Sequence, residues 1–358
     1  MEATSVDWSM GSQAARLADW DAALLVGRRV AGPGVPVAPA DRARMREDLA
    51  ELVETSERLI IDFTSLDPGG FRSRAWVMGR GEWIRANLRG LQRMLEPLAG
   101  RILAKQPSGR GTIRRAALGA QAGALLGYVS RRVLGQYDAF LPPDDEGLLY
   151  FVGPNVAEVE RRFHLPPRDF RLWIALHEVT HRVQFGASPW LRGHIREQVD
   201  RYLGTISLDS KELSQQLRRA VDEARSADVR GMGALFLLLS PEQREIVRHV
   251  QGVMSLLEGH ASFVMNEAGK GHVGELERMR RALAERRRRA GGVERSFQRV
   301  IGFDKKIEQY DAGERFVREV VASAGMHGLN RVWLAPEALP TVDEIAEPSS
   351  WVRRVAGS

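Results

Sequence analysis

Apolar positions recur every three to four residues along most of the chain, so helix is the dominant expectation. Leu17, Trp20, Leu24 and Val26 mark a first amphipathic stretch over 14–30, which stops at Gly32-Pro33-Gly34. A second runs over 41–61. A third, over 82–104, carries Trp83, Ile84, Leu88, Leu91, Leu95 and Leu98. A fourth, over 112–135, places Gly119, Gly123 and Gly127 four residues apart, a spacing that lets two backbones approach closely. Four arginines in that segment argue against lipid and for a tightly packed helix. Strand signals are confined to 136–141 and 148–152, joined by the turn-rich Pro142-Pro143-Asp144-Asp145-Glu146-Gly147, and predict neighbours in one small sheet. Helical periodicity then resumes over 167–185, 189–203, 210–225, 241–267, 275–289 and 311–324. The tail, punctuated by Pro336, Pro340 and Pro348, is expected to wrap the surface.

The pattern therefore predicts a mainly α protein with a small β-sheet, an α+β class. Its expected division is an N-terminal helical region (1–135), a core with the small sheet (136–270) and a C-terminal helical region with the tail (271–358). At 358 residues, 44% of them hydrophobic, the chain can bury a sizeable core without covalent staples. The complete absence of cysteine excludes disulfides, thiolate metal sites and cysteine nucleophiles. No run of 18 apolar residues predicts a membrane span, and the acidic, polar start does not resemble a signal peptide. The expected setting is the cytoplasm, with no membrane partner.

The formal charge of +6 is the difference between 52 basic and 46 acidic residues, and the basic set is skewed to 47 Arg against 5 Lys. Much of the excess sits in one run, 278–289, interleaved with Glu285. Such a run reads first as a solvated helix face and second as a surface for nucleic acid or an acidic partner.

One motif points to chemistry. His177-Glu178-Val179-Thr180-His181 matches H-E-x-x-H within an apolar-periodic helix. Residues four apart lie on one helix face, one turn of about 5.4 Å apart, so two imidazoles can converge on one ion. Zinc accepts such nitrogens and, in a catalytic site, requires a third protein ligand and an open water position. Glu178 then stands where a carboxylate can take a proton from water and deliver it to a leaving group. The apolar lead Leu172-Trp173-Ile174-Ala175-Leu176 would bury the helix beneath the site. Ala187 stands where the longer metzincin pattern, H-E-x-x-H-x-x-G-x-x-H, requires its third histidine, which excludes that pattern.

For the third ligand, His194, Glu197, Asp200, Glu258 and His260 are candidates. Glu258 leads them, because a carboxylate among apolar positions at 253, 254, 256, 257 and 261 is costly to bury unless paired or bound to metal. Gly259 beside it costs about 1 kcal/mol of helix propensity relative to alanine, which predicts the close approach of another helix. Tyr310 and His260 are candidate donors to a developing oxyanion. The strand over 148–152 could border a cleft and pair with an extended peptide.

His177-Glu178-Val179-Thr180-His181, Leu257-Glu258-Gly259-His260-Ala261 and Lys305-Lys306-Ile307-Glu308-Gln309-Tyr310-Asp311-Ala312-Gly313 together resemble an actinobacterial family of zincin-like zinc metallopeptidases. Trp333-Leu334-Ala335-Pro336-Glu337 and Leu339-Pro340-Thr341 fit it too. Val6-Asp7-Trp8 and the stretch 26–34 most resemble a branch associated, through gene neighbourhood, with biosynthesis of the deazaflavin coenzyme. The resemblance spans nearly the whole chain. It implies a zincin-like core, a Zn2+ cofactor, Glu258 as third ligand by analogy with glutamate zincins, and a peptide or protein substrate. It departs at Ser262, where many glutamate zincins carry a carboxylate that orients a zinc histidine. A replacement acceptor is expected from Glu197 or Asp200. The rival reading is a zincin fold that no longer turns over substrate and serves as a binding or scaffold protein. Retention of Glu178 favours the enzyme.

Overall fold

The computed structural model describes residues 12–70, 72–104, 111–138, 147–206, 239–288 and 304–357, with no side-chain account of 101–102, 286–288 and 304–311. It is mainly helical with one three-stranded sheet. The chain divides into two compact units. The first holds residues 1–56 and 71–179, the second residues 57–70 and 180–358.

In the first unit, α1 (Trp20–Ala31) starts where the Asp19 side chain accepts the Ala22 N–H, and it ends at Gly32, whose φ of 61° lies in the left-handed region. α2 (Pro39–Thr64) leads to strand β1 (Arg74–Met78), then α3 (Arg80–Ala104) and α4 (Gly111–Ser130). β2 (Gly135–Tyr137) and β3 (Leu148–Val152) follow. α5 (Gly153–Phe163) ends on the left-handed His164. The glycine spacing in α4 has the consequence expected of it. A Cβ at Gly119 or Gly123 would lie 2.1 Å from the carbonyl oxygen of Asp19 or Ala23, so α4 rests directly on the backbone of α1. Trp20, Leu24, Met78, Trp83, Ile84, Leu88, Tyr150 and Val152 form the core between these helices and one face of the sheet.

The sheet order is β1-β3-β2, with β1 parallel and β2 antiparallel to β3. β2 and β3 are neighbours, as their sequence pattern implied. β1 escaped the pattern. It has five residues, its burial does not alternate, and its partner begins 74 positions later at Leu148. Because β1 and β2 flank β3, β3 has no free edge for a peptide, contrary to the expectation for 148–152.

α6 (Pro167–Ala187) opens in the first unit and is anchored there by Arg171. The Arg171 guanidinium forks onto both carboxylate oxygens of Glu160, at 2.8 and 3.0 Å, and donates to Asp48 at 2.6 Å. Such bidentate geometry fixes the rotation of the helix about its own axis. Burial pushes the Glu160 carboxyl up while Arg171 opposes that shift.

The second unit contains the end of α6, α7 (Pro189–Gly204), α8 (Pro241–Ala268), α9 (Leu276–Arg288), α10 (Asp304–Asn330) and two short C-terminal helices, α11 (Val342–Ala346) and α12 (Pro348–Trp351). α8 begins with Pro241 and a reciprocal capping box between Ser240 and Gln243. Near its middle it crosses α10 in backbone contact. A Cβ at Gly259 would lie 2.1 Å from the carbonyl carbon of Gly313, so the expected close approach is real. The tail is fastened by the fully buried Trp351, whose indole N–H donates to the Ala338 carbonyl. On α9, Arg278 pairs with Glu275 and Arg280 with Glu277, the arrangement of a solvated helix face. The helix expected over 210–225 lies outside the described residues. No helix among the described residues is long and apolar enough to cross a membrane.

Candidate metal centre

α6 carries both histidines of the motif on one unbroken helix. The apolar residues 172–176 before them are all buried, so the helix is fixed from beneath while His177 and His181 keep partial exposure. Glu258 stands mid-way along α8, with its Oε2 3.7 Å from His181 Nε2. One turn of α6 separates His177 from His181. One ligand atom from each of His177, His181 and Glu258 falls within 4.8 Å of the others, the one such cluster among the described residues. Two imidazoles and a carboxylate at this separation fit the donor set of a zinc site with an open position. His194, Glu197 and Asp200 are not part of it. Glu197 and Asp200 are exposed on α7, and His194 Nε2 faces His249 Nε2 at 2.7 Å.

Glu178 is only 7% exposed, and its Oε2 accepts the Tyr137 N–H at 3.0 Å. The contact requires glycine two residues earlier, since a Cβ at Gly135 would lie 2.5 Å from Glu178 Cγ. Just before β2 the Leu134 carbonyl accepts the Val152 N–H, so position 134 faces β3. Backbone groups alternate along an antiparallel strand, which turns those of Gly135 and Tyr137 outward. The outer edge of β2 thus lies against the motif glutamate.

His260, expected as an oxyanion donor, is instead fully buried. Its ring meets Trp333 edge-on at 5.1 Å, and its Nδ1 lies 2.9 Å from Gln184 Nε2. Burial, reinforced by the neighbouring His181, lowers its pKa to about 3, so it is neutral at physiological pH. The fully buried imidazole offers no surface to a substrate. It stands behind the candidate ligands. The Tyr310 side chain lies outside the described residues.

One residue of the site was not anticipated. Gln184 Oε1 lies 2.9 Å from His181 Nδ1, the role for which Glu197 or Asp200 was expected after the loss of a carboxylate at 262. Its position three residues after His181, on the same helix face, was the available signal.

A family model described as zincin-like metallopeptidase matches residues 18–352. Among solved structures, a protein from Chloroflexus aurantiacus described as a candidate hydrolase with a novel fold is 33% identical. The match covers 96% of this chain and 100% of that one, with a TM-score of 0.71. None of the curated proteins matches significantly. Family and fold are thus those the motifs implied. Neither match bears on the actinobacterial branch or the deazaflavin association.

Proposed function

We propose that this chain, which belongs to the zincin-like metallopeptidase family, is a zinc-dependent peptidase in which His177, His181 and Glu258 hold the metal and Glu178 is the general base. The observation that carries the reading is the convergence of the three ligand side chains within 4.8 Å, beside a carboxylate anchored to a strand edge. Zinc bound there supplies Lewis acidity, which polarises a carbonyl and lowers the pKa of water toward about 7.

The chain's own residues do the rest. Glu178 takes a proton from water and returns it to the leaving amine, as general base and then general acid. The Tyr137 N–H holds one oxygen of that carboxylate at 3.0 Å, which fixes the side-chain rotamer without neutralising the base. With the Tyr137 N–H given to Glu178, the Gly135 backbone and the Tyr137 carbonyl are the groups of the outer edge of β2 along which an extended peptide can lie, a role that β3, hydrogen-bonded on both sides, cannot fill. His260 supports the site from behind rather than acting on substrate.

Glu178→Gln tests the reading. The variant should retain about one zinc per chain and lose hydrolysis of a peptide library by 10²–10⁴-fold. Equal cleavage by variant and wild type would remove Glu178 from the mechanism. Absence of zinc from the wild-type protein, with no uptake on titration, would remove the metal.

A further inference from the structure

We propose that Gln184 is the positioning residue of the metal centre, locking His181 into the tautomer that carries its proton on Nδ1 and presents the bare Nε2 lone pair to the metal; the inference rests on the zinc reading above. An amide's oxygen and nitrogen are told apart by their partners. The Gln184 terminal nitrogen lies 2.9 Å from the Leu257 carbonyl oxygen, which can only accept, so that end of the amide must be the NH2. The other end is therefore oxygen. It lies 2.9 Å from His181 Nδ1, so that nitrogen must donate. A neutral imidazole with its proton on Nδ1 has its lone pair on Nε2, the atom 3.7 Å from Glu258 Oε2.

The same amide settles a second ring. Its remaining N–H points to His260 Nδ1 at 2.9 Å, which must accept, placing the His260 proton on Nε2. Gln184 is fully buried, so no water competes for either end. Leu257, whose carbonyl orients the amide, immediately precedes the ligand Glu258. The helix that supplies the third ligand thereby also sets the tautomer of the second, through one hydrogen-bond chain from Leu257 to Gln184 to His181. Unlike the carboxylate usual in this role, an amide adds no negative charge behind the ligand.

The test uses the full chain, zinc as probe, and two variants. Gln184→Leu keeps the volume but cannot accept from His181, and its zinc affinity in chelator competition should fall 10–100-fold. Gln184→Glu keeps the acceptor but sets a carboxylate against the Leu257 carbonyl, so its thermal stability should fall while its zinc affinity stays near wild type. A purely structural role would make affinity follow stability in both variants and would overturn the proposal. Histidine 15N spectra of the zinc-free protein give a readout independent of the metal. Wild type should show His181 protonated on Nδ1, and Gln184→Leu should lose that single tautomer. A wild-type His181 protonated on Nε2, or wild-type affinity in Gln184→Leu, refutes the assignment. Failure of the wild-type chain to bind zinc would instead refute the metal reading, with the tautomer still read from the spectra.

Discussion

Gly259→Ala probes how Glu258, the proposed third ligand, is held. A methyl group at this position would lie 2.1 Å from the carbonyl carbon of Gly313 and 2.5 Å from its oxygen. Ordinary van der Waals contact begins near 3.4 Å, so α8 and α10 must part locally by about 1.3 Å. Both contacts are backbone atoms, and no rotamer change relieves them. Overpacking of this kind costs roughly 1–3 kcal/mol, occasionally more. Alanine returns at most about 1 kcal/mol in helix propensity. The net expectation is a loss of up to about 2 kcal/mol, or more if the backbone cannot adjust, and a loss of about 1–3 kcal/mol relative to an unhindered glycine-to-alanine change. Glu258, the proposed third ligand, is the adjacent residue, and metal coordination tolerates about 0.2 Å. Zinc affinity should therefore fall as well, although no ligand has been changed. The assay pairs urea unfolding of the zinc-free protein with chelator competition, and Gly193→Ala on α7 is the control, because a Cβ there meets nothing within 4 Å. If Gly259→Ala matches that control in both measurements, the crossing is looser than described and the argument fails.

Other consequences follow from the same geometry. His177→Ala with His181→Ala should abolish stoichiometric zinc, and full retention in the double variant would sink the site. Glu258→Gln should weaken zinc binding markedly, while Glu197→Gln and Asp200→Asn, both exposed on α7, should leave it near wild type in the same chelator competition. Gly135→Ala should displace Glu178, lowering kcat with zinc content unchanged; full activity would show that β2 does not seat the base. Removing zinc by chelation should lower the melting temperature, and saturating zinc should restore it, since a ligand that binds only the folded state stabilises it by mass action. A melting temperature indifferent to zinc would contradict that expectation.

What the sequence determined by itself is what short-range physics encodes. Helical periodicity located α3, α6 and α8, because burial of one face repeats with the helix turn. The spacing of His177 and His181 placed two candidate ligands on one face before any fold was known. A carboxylate among apolar neighbours singled out Glu258, and the unfavourable glycine beside it announced a crossing helix, whose identity as α10 only the structure supplied.

Tertiary structure decided whatever depends on a partner distant in sequence. β1 carries too little local signal to be seen, and it becomes a strand only by pairing with β3, 74 positions on. That pairing in turn removes the free edge of β3 and leaves β2 beside Glu178. His260 stands in the same short motif as Glu258, yet its side chain turns into the core against Trp333, 73 residues away. Gln184 shows the division most clearly. Its spacing from His181 is written in the sequence, but which end of its amide faces that histidine is fixed by the carbonyl of Leu257 on another helix. Hydrogen-bond polarity belongs to the pair of groups that meet, and only the folded chain brings them together.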